Sequence, residues 1–183
     1  MTPFEYLSVL ISIVLGLGLT ELLAGLQRLV HARDRVGFHW LPLAWSALVF
    51  VILVQWWWAA FGFRGQTEWN FLSFLLVLLV PVLLYLAAAL VLPPAQSVGR
   101  YDLRAHYFGI HRIFFLVIAG ATVLEIVRAV RVADFQAAGL NLAATLLLGS
   151  LAVVRNPRYH AFGTVVAALI LAVFIIAETL RIV

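Results

Sequence analysis

Six apolar runs, each near the roughly 20 residues needed to cross a bilayer core, divide this sequence almost completely. They extend from about Phe4 to Leu29, Trp40 to Phe63, Phe71 to Leu92, Ile113 to Val132, Gln136 to Val154 and Ala161 to Val183. A water-soluble fold has no means of hiding so much apolar surface behind 11% charged residues. Lipid accepts that surface, provided each backbone polar group is satisfied inside its own helix. The expected architecture is all-α: one polytopic transmembrane domain over residues 1–183 with six spans and short linkers. The opening MTPFEYLSVLIS has no basic region and its apolar run continues past signal-peptide length, so the first helix is expected to be retained.

The chain has no cysteine, which removes disulfides, thiolate nucleophiles and cysteine-ligated metals. All twelve basic residues are arginine, which removes a lysine Schiff base or a P-loop lysine. The net charge of +4 does not imply nucleic acid, because the arginines sit singly beside apolar runs and form no stripe. Eight of them (Arg28, Arg33, Arg35, Arg100, Arg104, Arg112, Arg155 and Arg158) flank the first, third and fifth linkers. Only Arg64, Arg128, Arg131 and Arg181 fall on the other side. The positive-inside rule then puts the odd linkers in the cytoplasm and both termini outside. Trp40 and the run Trp56, Trp57 and Trp58 stand ~27 Å apart along the second span, the separation of two interfacial belts. Trp69 is assigned to the same belt.

Helix association in lipid depends on close packing, and two stripes of small residues are expected to supply it. Ser8, Ser12, Gly16, Thr20 and Ala24 recur every four residues in the first helix. Ala138, Asn141, Thr145, Gly149 and Ala152 repeat the idea in the fifth. These are bundle-facing surfaces or an oligomer seam. Pro81 is expected to kink the third helix as a matter of shape. The linker over 93–112 mixes arginines with Tyr101, Tyr107, Phe108 and Ile110, as an amphipathic cytoplasmic segment on anionic lipid would, either as a separate segment or continuing as a helix into the fourth span.

Ionisable groups inside apolar runs are the most informative positions, since each is costly there and usually faces a partner or a cavity. Glu21 lies ~10 Å inside the arginine-rich boundary, flanked on its helical face by Gly18 and Gly25. Glu125 lies ~20 Å from that boundary, three residues before Arg128, with Arg131 and Asp134 continuing the spacing. Glu178 and Arg181 repeat the pattern near the carboxyl end. Two readings stand side by side: neutralised ion pairs, or a polar path for an ion formed by Glu21, Gln55, Glu125, Arg128 and Asn141. Six spans also divide into two sets of three, so inverted halves with Glu21 and Glu125 as counterparts are a further expectation. The five histidines all flank the odd linkers, and none has zinc-motif spacing. Asp102 and His106, four apart, are an orienting pair at most. No Gly-x-Ser-x-Gly elbow occurs, and no metal or other cofactor is expected.

The stretch FEYLSVLISIVLGLGLTELLAG, with the arginine-rich turn, WLPLAW and QWWWAAF after it, resembles small multispan proteins of the bacterial inner membrane. The resemblance covers the first third of the chain and implies that location, without implying any chemistry. The leading functional reading is a transporter or channel for a small ion or polar solute. The alternative is an accessory subunit whose partners are lipids, further copies of itself or another membrane protein. A lipid-modifying enzyme using Asp102, His106 and His111 ranks last.

Overall fold

The computed structural model describes residues 3–65, 69–95 and 100–182. Six helices make up nearly all of it: α1 (Pro3–His31), α2 (Trp40–Ala59), α3 (Phe71–Val91), α4 (Leu103–Arg131), α5 (Phe135–Val153) and α6 (Pro157–Ile182). All six are long and apolar enough to cross a membrane. Part of the 93–112 linker (residues 96–99) and the side chain of Arg181 lie outside the described residues.

Local chemistry sets most of the helix starts. Asn70 and Ser73 close a reciprocal capping box at α3, each side chain bonding the other's backbone N–H. Asp102 caps α4 by accepting from the N–H groups of Arg104 and Ala105, and Asp134 caps α5 by accepting from Ala137. Asn156 accepts from Arg158 N–H just before Pro157 opens α6, the first-turn position proline suits. The Asp102 cap explains why α4 starts ten residues before Ile113. Residues 103–112 are its first turns, with Leu103, Tyr107, Phe108 and His111 buried in the protein and not laid on lipid.

Successive helices run in opposite directions, so the odd linkers gather at one end and the even linkers at the other. At the arginine-rich end, Val36 and Gly37 pair in parallel with Tyr101 and Asp102, tying the first linker to the third. At the opposite end, Trp57 donates to Ser12 at 3.2 Å and the Tyr6 and Phe74 rings stack.

Packing of α1 uses a different stripe from the small residues. Leu7, Ile11, Leu15, Leu22 and Leu29 are its buried line, completed by Gly18 and Gly25. Alternating steps of four and three keep that line on one face. The two glycines let α3 come close: a Cβ at Gly18 would sit 3.5 Å from Tyr85 Cα, and one at Gly25 would sit 3.1 Å from Leu92 Cβ. The close pairing of α1 with α3 has no equivalent between α4 and α6, where α4 packs chiefly on α5. An exact two-fold relation between the halves would have repeated that pairing, so the arrangement gives inverted halves no support.

The α4–α5 turn is tight, closed by Asp134 N–H on Ala129 O at 2.8 Å, and holds Ala133 at φ 56°. A side chain there costs roughly 1–2 kcal/mol, of which glycine's extra freedom in the unfolded chain returns up to about 1. Ala133→Gly is therefore expected to stabilise by about 0.5 kcal/mol, a rise of about 1–2 °C in the melting midpoint in detergent.

Candidate functional site

Near the end opposite the arginines, α2 presents Gln55 and Trp56, α4 presents Glu125 and Arg128, and α5 presents Asn141. Glu125 is the centre of this group. Its Oε2 accepts from Arg128 Nε at 2.7 Å, and its Oε1 accepts from the Trp56 indole N–H at 3.1 Å. The guanidinium of Arg128 lies 5.8 Å over the Phe63 ring, which adds a cation–π contact. One turn deeper, the Thr122 and Thr145 hydroxyls bond across the α4–α5 seam at 2.8 Å. The two hydroxyl hydrogens are shared between this contact and the carbonyls of Ala119 and Asn141 in their own helices, and Asn141 donates to Ala137 O.

Gln55, Glu125, Arg128 and Asn141 all line one cleft of about 130 Å³ between α2, α3, α4, α5 and α6. From Gln55 to Trp45 on α2, and from Arg128 to Ile118 on α4, the lining descends ~15 Å, half of a bilayer core. Its inner part is apolar, walled by Trp45, Val80, Leu84, Leu148 and Ile170. The cleft thus has polar groups at one end and a greasy interior.

Below Trp45 the way on is filled by rings. Trp45 meets Phe114 and Phe115 edge-on at 5.7 and 4.9 Å between centroids. Beneath them His160 is in ring contact with Phe115, Tyr107, Phe108 and His111. The Tyr107 hydroxyl is 2.8 Å from His160 Nδ1, and His160 Nε2 is 2.7 Å from Val154 O. A carbonyl only accepts, so Nε2 carries the proton, and in a neutral ring Nδ1 then accepts from the tyrosine. At the rim of this cluster, burial and the Arg104 guanidinium hold His39 below its ordinary pKa, against the opposing pull of Asp102.

Glu21 lies apart from the cleft. It is half-buried on α1 between Gly18 and Gly25, and it makes no hydrogen bond or ion pair with a described residue. Ser8, Ser12, Gly16 and Thr20 run along the half-buried to exposed edge of the same helix. A Cβ at Gly16 would meet nothing within 4 Å. On α5, Ala138, Asn141, Thr145 and Gly149 are half-buried, with Thr145 turned to α4. The Asp102–His106 pair does not form, because Asp102 is taken up as the α4 cap while His106 Nε2 donates to Leu90 O and His111 Nδ1 to Phe108 O. Among the described residues no three His, Asp or Glu side chains converge as a metal site.

Six spans, five of them around a half-depth cleft, define the class, a multi-pass α-helical membrane protein. Set against protein-family models, curated proteins and solved structures, the chain has no match in any of the three. The functional reading therefore rests on the cleft's own chemistry.

Proposed function

We propose that this chain is a carrier of the bacterial inner membrane for a small amphipathic solute. The observation that carries the reading is the cleft that collects Gln55, Glu125, Arg128 and Asn141 at one end and is apolar over the rest of its depth. An ion alone gains nothing from walls such as Leu84 and Ile170, whereas a molecule with a polar end and an apolar body matches both parts. Arg128 spends Nε on Glu125, and its two Nη groups remain as donors for an acceptor-bearing end such as a carboxylate. The ring cluster beneath Trp45 favours alternating access over an open pore, since no continuous polar path leads on.

The absence of native cysteine makes the test direct. Gln55→Cys and Asn141→Cys are expected to react with a membrane-impermeant maleimide from one side only, and decanoate is expected to slow both without slowing Arg64→Cys. Reaction from both sides that decanoate does not slow would indicate a channel, since a carrier turning over between its two faces would be slowed from each. Silence at both positions while Arg64→Cys reacts would mean a sealed cleft and the loss of the reading.

A second reading, the accessory subunit, draws on α1. The Ser8 to Thr20 edge and the unpaired carboxylate of Glu21 offer a partner helix a close approach and a hydrogen bond. A stoichiometric partner that copurifies from native membranes and is lost with Gly16→Leu would support it.

A further inference from the structure

At the arginine-rich end a second cleft, of about 460 Å³, opens between the last turns of α1 and the linkers that follow α1 and α3. Its polar lining is Gln27, Arg28, His31, Arg35 and Tyr101, with no carboxylate. Arg28 is part of that lining, and its Nε is buried without a hydrogen-bond partner among the described residues. His31 donates Nδ1–H to Gln27 O of its own helix, so in the neutral ring Nε2 is an acceptor and can meet only a protonated oxygen of a ligand. Asp34, the nearest acid along the chain, is exposed and sits 3.9 Å from Arg33.

We infer that this cleft binds a phosphate group. A desolvated guanidinium N–H with no acceptor costs on the order of 1–3 kcal/mol, a cost recovered once the side chain turns this N–H to a tetrahedral anion in the cleft. The fork of Arg28 can hold two oxygens in parallel, with Arg35 supplying a second full charge. One local effect opposes an anion, the negative end of the α1 dipole, at up to about 1 kcal/mol. Two arginines outweigh a half-charge, so the balance remains attractive. Arg28 stands level with the lipid headgroups, ~36 Å along α1 from Phe4. Both a phospholipid headgroup and a soluble phosphate could reach that position.

Titration calorimetry on the detergent-solubilised full chain, with a short-chain phosphatidylglycerol and with inorganic phosphate at constant ionic strength, tests the inference. At least one of the two is expected to bind, and its dissociation constant to rise about tenfold, or 1.4 kcal/mol, in Arg28→Gln and in Arg35→Gln. Binding of the lipid alone identifies a headgroup site, and binding of phosphate as well identifies a soluble ligand. Arg35 is exposed, so Arg35→Gln decides the matter even where Arg28→Gln folds poorly. No binding of either compound, or binding unchanged in Arg35→Gln, would overturn the inference. The result stands apart from the carrier reading, which concerns the cleft at the other end.

Discussion

Arg128→Leu is expected to destabilise the protein by about 3 kcal/mol, and Glu125→Gln by only about 1 kcal/mol. The asymmetry follows from exposure. The Glu125 side chain is 13% exposed and that of Arg128 37%. Without Arg128 the carboxylate keeps only the Trp56 indole as a donor and stays largely buried in a mostly apolar cleft. Without the carboxylate, the long arginine stem can carry its charge to the headgroups. Replacing both by leucine should lie within about 1 kcal/mol of the parent, because burying an ion pair gains little over burying apolar side chains of similar size. Unfolding in mixed micelles measures all three. Equal single costs that sum in the double variant would mean the two groups are not coupled.

The ring cluster should show the second large effect. His160 is 0% exposed and touches four other rings, so His160→Ala removes packed atoms together with both hydrogen bonds. A loss of about 3–5 kcal/mol is expected. Tyr107→Phe leaves Nδ1 without its donor but keeps the ring, at about 1–3 kcal/mol. Nitrogen NMR of labelled histidine should find His160 in the Nε2–H form in the parent. An unchanged melting midpoint in His160→Ala would show that the cluster does not hold the arginine-rich end together.

The spans were legible because crossing a bilayer fixes a length, and the apolar runs are cut to it. The start of α4 was not. In RYDLRAHYFGIHR the charges interrupt the apolar run, while Leu103, Tyr107, Phe108 and His111 share one helical face whose cover, His39 and His160, comes from distant parts of the chain. Four of the five polar-path residues do meet in one cleft, since polar groups in lipid have few places to go. Glu21 is the exception, because spacing along one helix carries no information about its position relative to another. Trp56 shows the same limit: Trp57 and Trp58 are 54% and 58% exposed and Trp56 only 7%, yet three identical residues in a helix apolar all round leave its phase unmarked. The small-residue stripe of α1 is not the line that packs within the bundle, which is built of leucines and Ile11 with two glycines set among them.

The tight turn at Ala133 bears on how the chain enters the membrane during synthesis. Of the six spans, α5 is the shortest and least apolar, and it carries Asn141 and Thr145. Alone in lipid it would be a poor candidate for insertion. With only Val132, Ala133 and Asp134 between the helices, α5 leaves the ribosome already beside α4, and the Thr122 hydroxyl is at hand for Thr145 as the pair partitions together. The last three helices are thus expected to assemble hairpin first, with α6 added to a surface that the hairpin has already made.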